Sequence, residues 1–246
     1  MCYNFYTMKT LLIIPTYNEC ENIERFILEI LKLNIPFLDI LIVDGNSEDK
    51  TQSIVKRLAD KIYPLKYIFQ KEKNGLAGAY LEGFKYALAN DYDHVIEMDA
   101  DFSHDPKYLA TMDKLKYKYD FVIGSRYVLG GGTENWNFFR KILSRGGSLY
   151  AKIILGVKIN DLTGGFNLWS RKVLEGIDLN SIKSQGYCFQ IELKYKANKG
   201  YSYIEFPIIF KERKAGISKM NWKIAAEAIW KVPLLRKFQI PKPKSK

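Results

Sequence analysis

Short apolar runs alternate with longer amphipathic segments over the first half of the chain. Runs such as 11–14 and 40–43 predict buried strands, because they are too short for core helices and are closed by Pro15 and Asp44. Segments such as 23–31 repeat apolar residues every three or four positions, which predicts helices with one buried face. The predicted strands are 11–14, 40–43, 67–69, 95–98 and 121–123, and the predicted helices are 23–31, 54–62, 76–89 and one that is capped by Asp105 and begins at Pro106. This alternation predicts an α/β fold with a mainly parallel sheet flanked by helices.

Acidic side chains follow three of the predicted strands. Glu19, Asp44, Asp99 and Asp101 all come at or just after a carboxyl end, where parallel sheets bind their ligands. Only the small Ala100 separates Asp99 from Asp101, so both carboxylates can face one ion. Oxygen ligands that leave room for phosphates suit Mg²⁺ or Mn²⁺. The sequence contains no GxxxxGK loop and no GxGxxG after the first strand, which argues against P-loop NTPases and dinucleotide dehydrogenases.

Two amphipathic helices are predicted in the second half, at 139–155 and 220–232. Each has an apolar face and a face with basic residues, and Pro233 should break or bend the second helix. Two roles fit such helices: packing against the core, or lying on a membrane with the cations near lipid phosphates. A further strand is predicted at 204–210.

Positive charge is concentrated at the carboxyl end. The net charge is +11, and residues 211–246 contain eleven Lys or Arg against two Glu, so the rest of the chain is nearly neutral. A basic end predicts an anionic partner, which could be nucleic acid, an anionic membrane face or a phosphorylated ligand. No apolar run reaches the roughly 18 residues that predict a spanning helix. The three cysteines have no metal-ligand or redox spacing, which fits a reducing cytoplasm.

The chain is predicted to hold one catalytic domain with an appendage. We expect the domain at 8–212, a basic loop with amphipathic interfacial helices at 213–240, and a disordered tail at 241–246. Arg213 and Lys219 lie in the loop after the last predicted strand. A flexible loop with two cations is able to close on a pyrophosphate, and a solvated basic loop is the alternative interpretation.

An ordered series of motifs resembles glycosyltransferase family 2. They are 15–19 (PTYNE), 43–51 (VDGNSEDKT), 74–76 (NGL) and 99–106 (DADFSHDP). Within that family the chain is similar to the polyprenol-phosphate (dolichol-phosphate) mannose synthases. The motifs that carry this closer resemblance are 124–127 (GSRY), 140–146 (RKILSRG), 161–166 (DLTGGF), 186–190 (GYCFQ) and 213–219 (RKAGISK).

The resemblance implies a single nucleotide-sugar-binding domain of the GT-A type. The donor-site residues that it implies are Pro15, Tyr17, Glu19, Val43, Asp44 and Gly45 for the nucleoside, and Asp99, Ala100 and Asp101 for the ribose and the metal-bound pyrophosphate. Family members carry a second carboxylate where Gly45 stands; here Asp44 alone remains, and Val43 and Gly45 would contact the base through the backbone. The implied metal ligands are Asp101 and Ser103, with Asp99 beside them and a water completing the coordination of Mg²⁺ or Mn²⁺.

The resemblance also implies which basic side chains serve the reaction. Arg213 and Lys219 would contact the donor phosphates, and Arg126, Arg140 and Ser144 would hold the phosphate of the acceptor. The side chains that would act directly in catalysis are Asp101, Arg126, Arg213 and Lys219.

The implied activity is a metal-dependent, inverting transfer of mannose from GDP-mannose to a polyprenyl or dolichyl phosphate. The expected location is the cytoplasmic face of a membrane, as a peripheral protein on an anionic surface, with small membrane-spanning helper subunits as possible partners. A nearer alternative is a UDP-glucose-dependent transferase that uses the same lipid. A non-catalytic membrane scaffold or a nucleic-acid binder is the alternative from another class, and the absence of a known binding motif and the acidic strand ends argue against nucleic acid.

Overall fold

The computed structural model describes residues 8–212 and 222–237. The predicted basic loop with Arg213 and Lys219 and the predicted tail at 241–246 lie outside the described residues. The strands are β1 Thr10–Thr16, β2 Leu38–Asp44, β3 Leu65–Phe69, β4 His94–Glu97, β5 Phe121–Ser125, β6 Gly132–Thr133, β7 Asn167–Ser170, β8 Tyr203–Pro207 and β9 Ile209–Phe210. The helices are α1 Ile23–Leu31, α2 Thr51–Ala59, α3 Gly75–Ala89, α4 Leu109–Leu115, α5 Phe138–Leu155, α6 Arg171–Gly176, α7 Gly186–Asn198 and α8 Trp222–Lys237.

Seven strands form the central sheet in the order β3-β2-β1-β4-β7-β5-β8. The pairs β1–β2, β1–β4, β2–β3 and β5–β8 are parallel, whereas β7 runs antiparallel to both β4 and β5. The predicted mainly parallel sheet is therefore confirmed, with one reversed strand that the apolar pattern did not predict. This strand joins the half of the sheet that holds β1 to β4 to the half that holds β5 and β8.

Helices cover both faces of the sheet, as predicted. Alternate side chains of β1 enter different cores: Leu11 and Ile13 pack with α3, α6 and α7, and Leu12 and Ile14 pack with α1, α2 and α4. Because each face of the sheet is covered by helices, the strands are apolar on both sides.

The predicted strand 204–210 and the predicted end of the second amphipathic helix both differ from the structure. The predicted strand 204–210 is divided, because the backbone of Ile208 donates its N–H to Ser125 (3.0 Å) and accepts from Gly132 (3.0 Å), which places β8 and β9 in different sheets. Of the two outcomes predicted at Pro233, a break does not occur, since α8 continues to Lys237, and a bend stays a prediction. Proline removes the hydrogen bond to the carbonyl four residues earlier, and the hydroxyl of Tyr150 on α5 donates to that carbonyl, on Ile229, at 2.9 Å.

Helix α5 is oriented with its small residues toward the core. Its buried residues are Ser148, Ala151 and Leu155, and the Ser148 hydroxyl lies 3.1 Å from that of Thr163. The apolar side chains that were predicted to share a face point outward instead. The exposed large apolar residues of α5 are Phe138, Phe139, Ile142, Leu143, Leu149 and Ile153, and α8 adds Ile229, Trp230 and Leu234. Core packing is thus the wrong interpretation for most of this face.

Candidate active site

A cleft of about 490 Å³ opens at the carboxyl ends of the parallel strands. Many of the residues predicted for the site contribute to its walls. These are Pro15, Tyr17, Glu19, Gly45, Asp99, Ala100, Asp101, Arg126 and Arg140. The structure therefore brings nine of the predicted site residues together in one cleft.

Asp44 is the exception among the four acidic residues that were expected together. Its side chain is fully buried and does not line the cleft. Its oxygens accept hydrogen bonds from the Thr16 hydroxyl (2.7 Å), the Ser47 amide and hydroxyl (2.8 and 2.6 Å) and Gln52 Nε2 (2.7 Å). The carboxylate thus links the end of β1 to the loop after β2 and to the start of α2. Val43, also predicted at the nucleoside, is likewise buried away from the lining.

The wall nearest β1 and β2 combines an aromatic ring with backbone. Tyr17 and Gly45 lie side by side there, since a Cβ built on Gly45 would be 3.9 Å from Tyr17 Cδ2. The ammonium group of Lys73 lies 3.5 Å from the centre of the Tyr17 ring, a cation–π geometry that stabilises the ring's position. Lys73 was not predicted as part of the site.

The Asp99–Asp101 turn follows β4 and directs carboxylates into the cleft. Phe102 adopts a left-handed backbone conformation (φ 60°), which is costly for an aromatic residue and marks a tightly determined turn. Its ring packs edge-on against Phe26 at 4.9 Å. The Tyr80 hydroxyl donates to Asp99 Oδ1 at 3.2 Å. Burial first, and then the neighbouring carboxylates, raise the pKa of Tyr80 well above its usual range, so its proton stays available for this contact.

The residues of this turn fit a divalent cation. Asp101 lines the cleft and its Oδ1 accepts from the Ser103 amide at 3.0 Å. The Ser103 hydroxyl is buried and has no hydrogen-bond partner among residues 8–212 and 222–237, which leaves an oxygen to be satisfied. Over the same ranges no group of three His, Cys, Asp or Glu could hold a metal alone. The donor set therefore suits a hard cation that takes its other ligands from phosphates and water.

His104 forms part of the cleft wall beside this turn. Its ring stacks on Phe166 (5.1 Å) and meets Phe210 edge-on (4.9 Å). Burial lowers its pKa, so the imidazole is neutral near pH 7.

Arg126 is held by a buried ion pair. Its Nε and Nη2 each lie 2.7 Å from an oxygen of Asp161, and Nη2 also donates to the Thr163 hydroxyl at 2.9 Å. Burial alone would raise the pKa of Asp161, but the facing guanidinium lowers it to about 2. Nη1 makes no hydrogen bond to any residue in the described part of the chain, so two donors remain on the guanidinium after this pairing.

Arg140 and Ser144 lie on α5, on the same side of the molecule as Arg126. The Arg140 guanidinium lies 4.1 Å from the centre of the Trp136 ring, and Nη1 is 3.3 Å from Glu212. Ser144 does not line the main cleft; its hydroxyl accepts from the Tyr127 hydroxyl at 2.7 Å. The structure therefore brings Arg126 and Arg140 to one cleft and leaves Ser144 beside it.

A buried polar network under the cleft was missed. Glu97 on β4 accepts from Asn167 (2.7 Å) and Trp169 (3.0 Å) on β7 and from Gln190 (3.2 Å) on α7. Burial raises the pKa of Glu97. Gln190 itself lines the cleft. A glutamate inside an apolar strand was the available signal, because a buried charge needs partners.

Lys194 lies next to this network and supports the loop that carries Asp161. Its ammonium group donates to the backbone carbonyls of Asp161 (2.9 Å), Leu162 (3.4 Å) and Gly164 (2.6 Å). Burial lowers its pKa, and the carboxylates of Asp161 and Glu97 oppose that shift. A lysine on α7 therefore fixes the cleft floor, and neither this helix nor the role of its lysine was predicted.

Comparison with protein families and curated proteins gives close matches. The model of the family "Glycosyl transferase family 2" matches residues 11–178. The chain is 42% identical over 232 residues to a polyprenol monophosphomannose synthase from Mycolicibacterium smegmatis, which covers 92% of this chain and 86% of that protein. It is 40% identical over 223 residues to an undecaprenyl-phosphate mannosyltransferase from Micrococcus luteus, with 90% and 91% covered.

Solved structures share the fold at lower identity. A glucosyl-3-phosphoglycerate synthase from Mycobacterium tuberculosis, in complex with Mn²⁺, UDP and glucosyl-3-phosphoglycerate, gives a TM-score of 0.70 at 12% identity and covers 94% of this chain and 81% of that one. A mannosyltransferase from Pyrobaculum calidifontis, in complex with GDP-Man and Mn²⁺, gives 0.62 at 21% identity, with 97% and 67% covered. The architecture is the GT-A fold, as the motifs implied. With a family model that spans most of the sheet and relatives at 40% identity or more over nearly the whole chain, this protein belongs to glycosyltransferase family 2.

Proposed function

We propose that this protein transfers mannose from GDP-mannose to the phosphate of a polyprenyl phosphate, with inversion at the anomeric carbon. The observation that carries the proposal is one cleft with the Asp99 and Asp101 carboxylates in its wall and two arginines, Arg126 and Arg140, facing the same space. Carboxylates suit a metal-bound diphosphate, and arginines suit a second, separate phosphate. The activities named for the two close relatives support the same acceptor and sugar.

A phosphate acceptor removes the need for a general base. Its second pKa is about 6, so near neutral pH an oxyanion is already present. Arg126 would bind it through Nη1, because Asp161 and Thr163 occupy Nε and Nη2. Ser144 accepts from Tyr127, which leaves its own O–H to donate to the phosphate. These contacts orient the nucleophile without taking a proton from it.

Transfer would proceed by in-line displacement. An acceptor phosphate oxygen forms a bond to the anomeric carbon while the bond to the donor diphosphate breaks and its electron pair leaves with GDP. Asp99, Asp101 and Ser103 are the residues that would hold Mg²⁺ or Mn²⁺, and a bound cation would offset the charge that develops on the diphosphate. Arg213 and Lys219, in the segment outside the described residues, would add positive charge to the same leaving group.

Side-by-side assays with labelled GDP-mannose and UDP-glucose test this function. The purified protein should transfer mannose to polyprenyl phosphate in the presence of Mg²⁺ or Mn²⁺. The anomeric configuration of the product should be opposite to that of the donor. Preferential transfer of glucose from UDP-glucose would replace the proposed donor. Failure of transfer from any sugar nucleotide would contradict the enzyme assignment as a whole.

We also propose that α5 and α8 place the protein on the cytoplasmic face of a membrane. Across residues 8–212 and 222–237 no helix has the length and apolar content needed to cross a bilayer. The outward faces of these two helices carry large apolar side chains, including Phe139 (82% exposed), Ile153 (68%) and Trp230 (79%). α5 contains four basic residues and no acidic one, which complements anionic lipid.

Vesicle co-sedimentation tests whether the apolar faces of α5 and α8 bind membranes in a way that other exposed side chains do not. The change Ile153→Ser together with Trp230→Ser should reduce binding to phosphatidylserine-containing vesicles. The control Tyr63→Ser alters an even more exposed large side chain (92%) that lies just before the edge strand β3, and binding should be retained. Equal binding by all variants would contradict the membrane surface. Transfer by the purified chain alone to lipid in these vesicles would show that no spanning helper subunit is required.

A further inference from the structure

A buried hydrogen-bond acceptor without a donor lies next to Gly45, which lines the cleft; the Gln70 side chain that carries it is not itself part of the lining. Gln70 follows β3, is 7% exposed, and its backbone N–H donates to the Asp44 carbonyl at 2.9 Å. Its side-chain Nε2 donates to Glu82 on α3 at 2.5 Å. Its Oε1 has no hydrogen-bond partner within the described ranges. A buried carbonyl that lacks a donor costs stability, so this atom needs an explanation.

The orientation of the Gln70 amide is fixed by chemistry. An ionised carboxylate only accepts, so the amide nitrogen must face Glu82 and the amide oxygen must face the other side. That side is Gly45: a Cβ built on Gly45 would lie 3.8 Å from Gln70 Oε1 and 3.5 Å from the Thr16 carbonyl oxygen. Gly45 and Tyr17, which lies beside it, both line the cleft. The space in front of Gly45 is thus bounded by two carbonyl oxygens and an aromatic ring.

Asp44, the carboxylate that was predicted to lie at the nucleoside, already has other hydrogen-bond partners. Asp44 points away from the cleft, and its oxygens receive four hydrogen bonds from Thr16, Ser47 and Gln52. Gly45 has no side chain. A base that enters here therefore has Gln70 Oε1 as its unpartnered acceptor, beside the Thr16 carbonyl, which accepts from the Gly45 N–H at 2.9 Å and keeps one lone pair.

We propose that Gln70 is a base-selecting residue that accepts a hydrogen bond from the Watson–Crick edge of guanine. Guanine presents two adjacent donors on that edge, N1–H and the 2-amino group, which match two neighbouring carbonyl oxygens. Uracil presents one N–H between two carbonyls, and those carbonyls would face Gln70 and Thr16 unfavourably. The inference rests on the proposed function only in that the donor is a nucleotide sugar.

Binding of nucleoside diphosphates tests the inference without any transfer reaction. Affinities for GDP, IDP and UDP, each with Mn²⁺, are measured by calorimetry for the wild type and for Gln70→Leu. The wild type should prefer GDP over UDP. Gln70→Leu should weaken the binding of GDP by about tenfold, the scale of one neutral hydrogen bond, while the affinity for UDP should change less than about twofold. IDP lacks the 2-amino group, so a gap between GDP and IDP that closes in the variant would assign the contact to that group.

A second glutamine near Asp44, on α2, provides a matched control. Gln52→Leu removes a glutamine that donates to Asp44 and is not among the three nearest neighbours of a Cβ built on Gly45, and the preference for GDP over UDP should survive. Gln70→Met, which keeps the length of the side chain, repeats the test if Gln70→Leu does not fold. A folded Gln70 variant that keeps the wild-type preference for GDP would overturn this inference and leave the proposed donor intact. A wild type that prefers UDP would overturn both the donor assignment and the guanine contact.

Discussion

The ion pair between Arg126 and Asp161 offers a quantitative test of how the acceptor end of the cleft is built. Both side chains are buried, and the pair makes two 2.7 Å contacts. The Asp161 carboxylate also accepts from the backbone amides of Arg126 (2.9 Å) and Gly164 (2.9 Å). Asp161→Asn replaces one acceptor oxygen by an amide that must face a donor. Breaking a buried pair in this way typically costs about 3–5 kcal/mol, and we expect about 3 kcal/mol here because the asparagine oxygen keeps part of the network.

Urea unfolding at pH 7 measures this loss, with an unchanged m value as the sign that only stability has changed. Glu29→Gln is the matched control, since it removes an ion pair with Arg25 in which both side chains are substantially exposed and which should contribute less than about 1 kcal/mol. The pH dependence gives a second check. The folded pKa of Asp161 is lowered from 3.8 to about 2, so the stabilisation is present above pH 3.8 and is lost as the pH falls toward 2. A loss for Asp161→Asn no larger than for Glu29→Gln would refute the reasoning.

Three further predictions follow from metal binding, packing and burial. Asp101→Asn should abolish metal-stimulated transfer without loss of folding, because an amide is a weaker ligand, and near-normal turnover with Mg²⁺ or Mn²⁺ would contradict the metal assignment. Gly83→Ala should destabilise the protein by about 1–3 kcal/mol, since the new Cβ would lie 2.5 Å from Ile13 Cδ1. Gly146→Ala lies inside α5 with open space around the new Cβ and should stabilise the protein by about 0.5–1 kcal/mol. Denaturant midpoints in the opposite order would contradict the packing. Burial lowers the pKa of His94 from 6.5 to about 4, so protonation favours the unfolded chain and stability should fall by up to about 3 kcal/mol between pH 6.5 and 4. His94→Gln should flatten that part of the unfolding curve, and parallel curves for the two proteins would contradict the burial argument.

Patterns within short stretches of sequence were sufficient to predict the first strands and helices and the turn that carries Asp99 and Asp101. Apolar runs and helical periodicity predicted β1 to β5 and the helices between them, because the apolar residues that mark each element lie within the element itself. Asp99 and Asp101 could be placed because the end of a parallel strand fixes where the next residues lie. The Asp105 cap is confirmed, as its carboxylate accepts from the Lys107 amide two residues later, but it caps a 3₁₀ turn at Pro106–Tyr108, and α4 begins only at Leu109.

The orientation of α5 could not be predicted, although its two faces could. The choice of which face is buried depends on elements far away in sequence, such as the Thr163 hydroxyl that meets Ser148. A stripe of small residues allows the close approach of a neighbouring segment, and this outweighed the larger apolar face. β7 was missed for a related reason, since its four residues include a buried polar Asn167 and it becomes a strand only by pairing with both β4 and β5.

Asp44 and Glu97 show that the type of residue alone does not decide whether a carboxylate serves the cleft. Asp44 had a local signal that favoured the structural role, because an aspartate before Gly-Asn-Ser often accepts from the backbone three residues on, as it does from Ser47. Glu97 had no such signal, since its partners Asn167 and Gln190 come 70 and 93 residues later. A carboxylate whose donors lie nearby in sequence can be recognised as structural before any fold is known. A carboxylate whose donors arrive from distant strands and helices can be interpreted only once the topology has placed them.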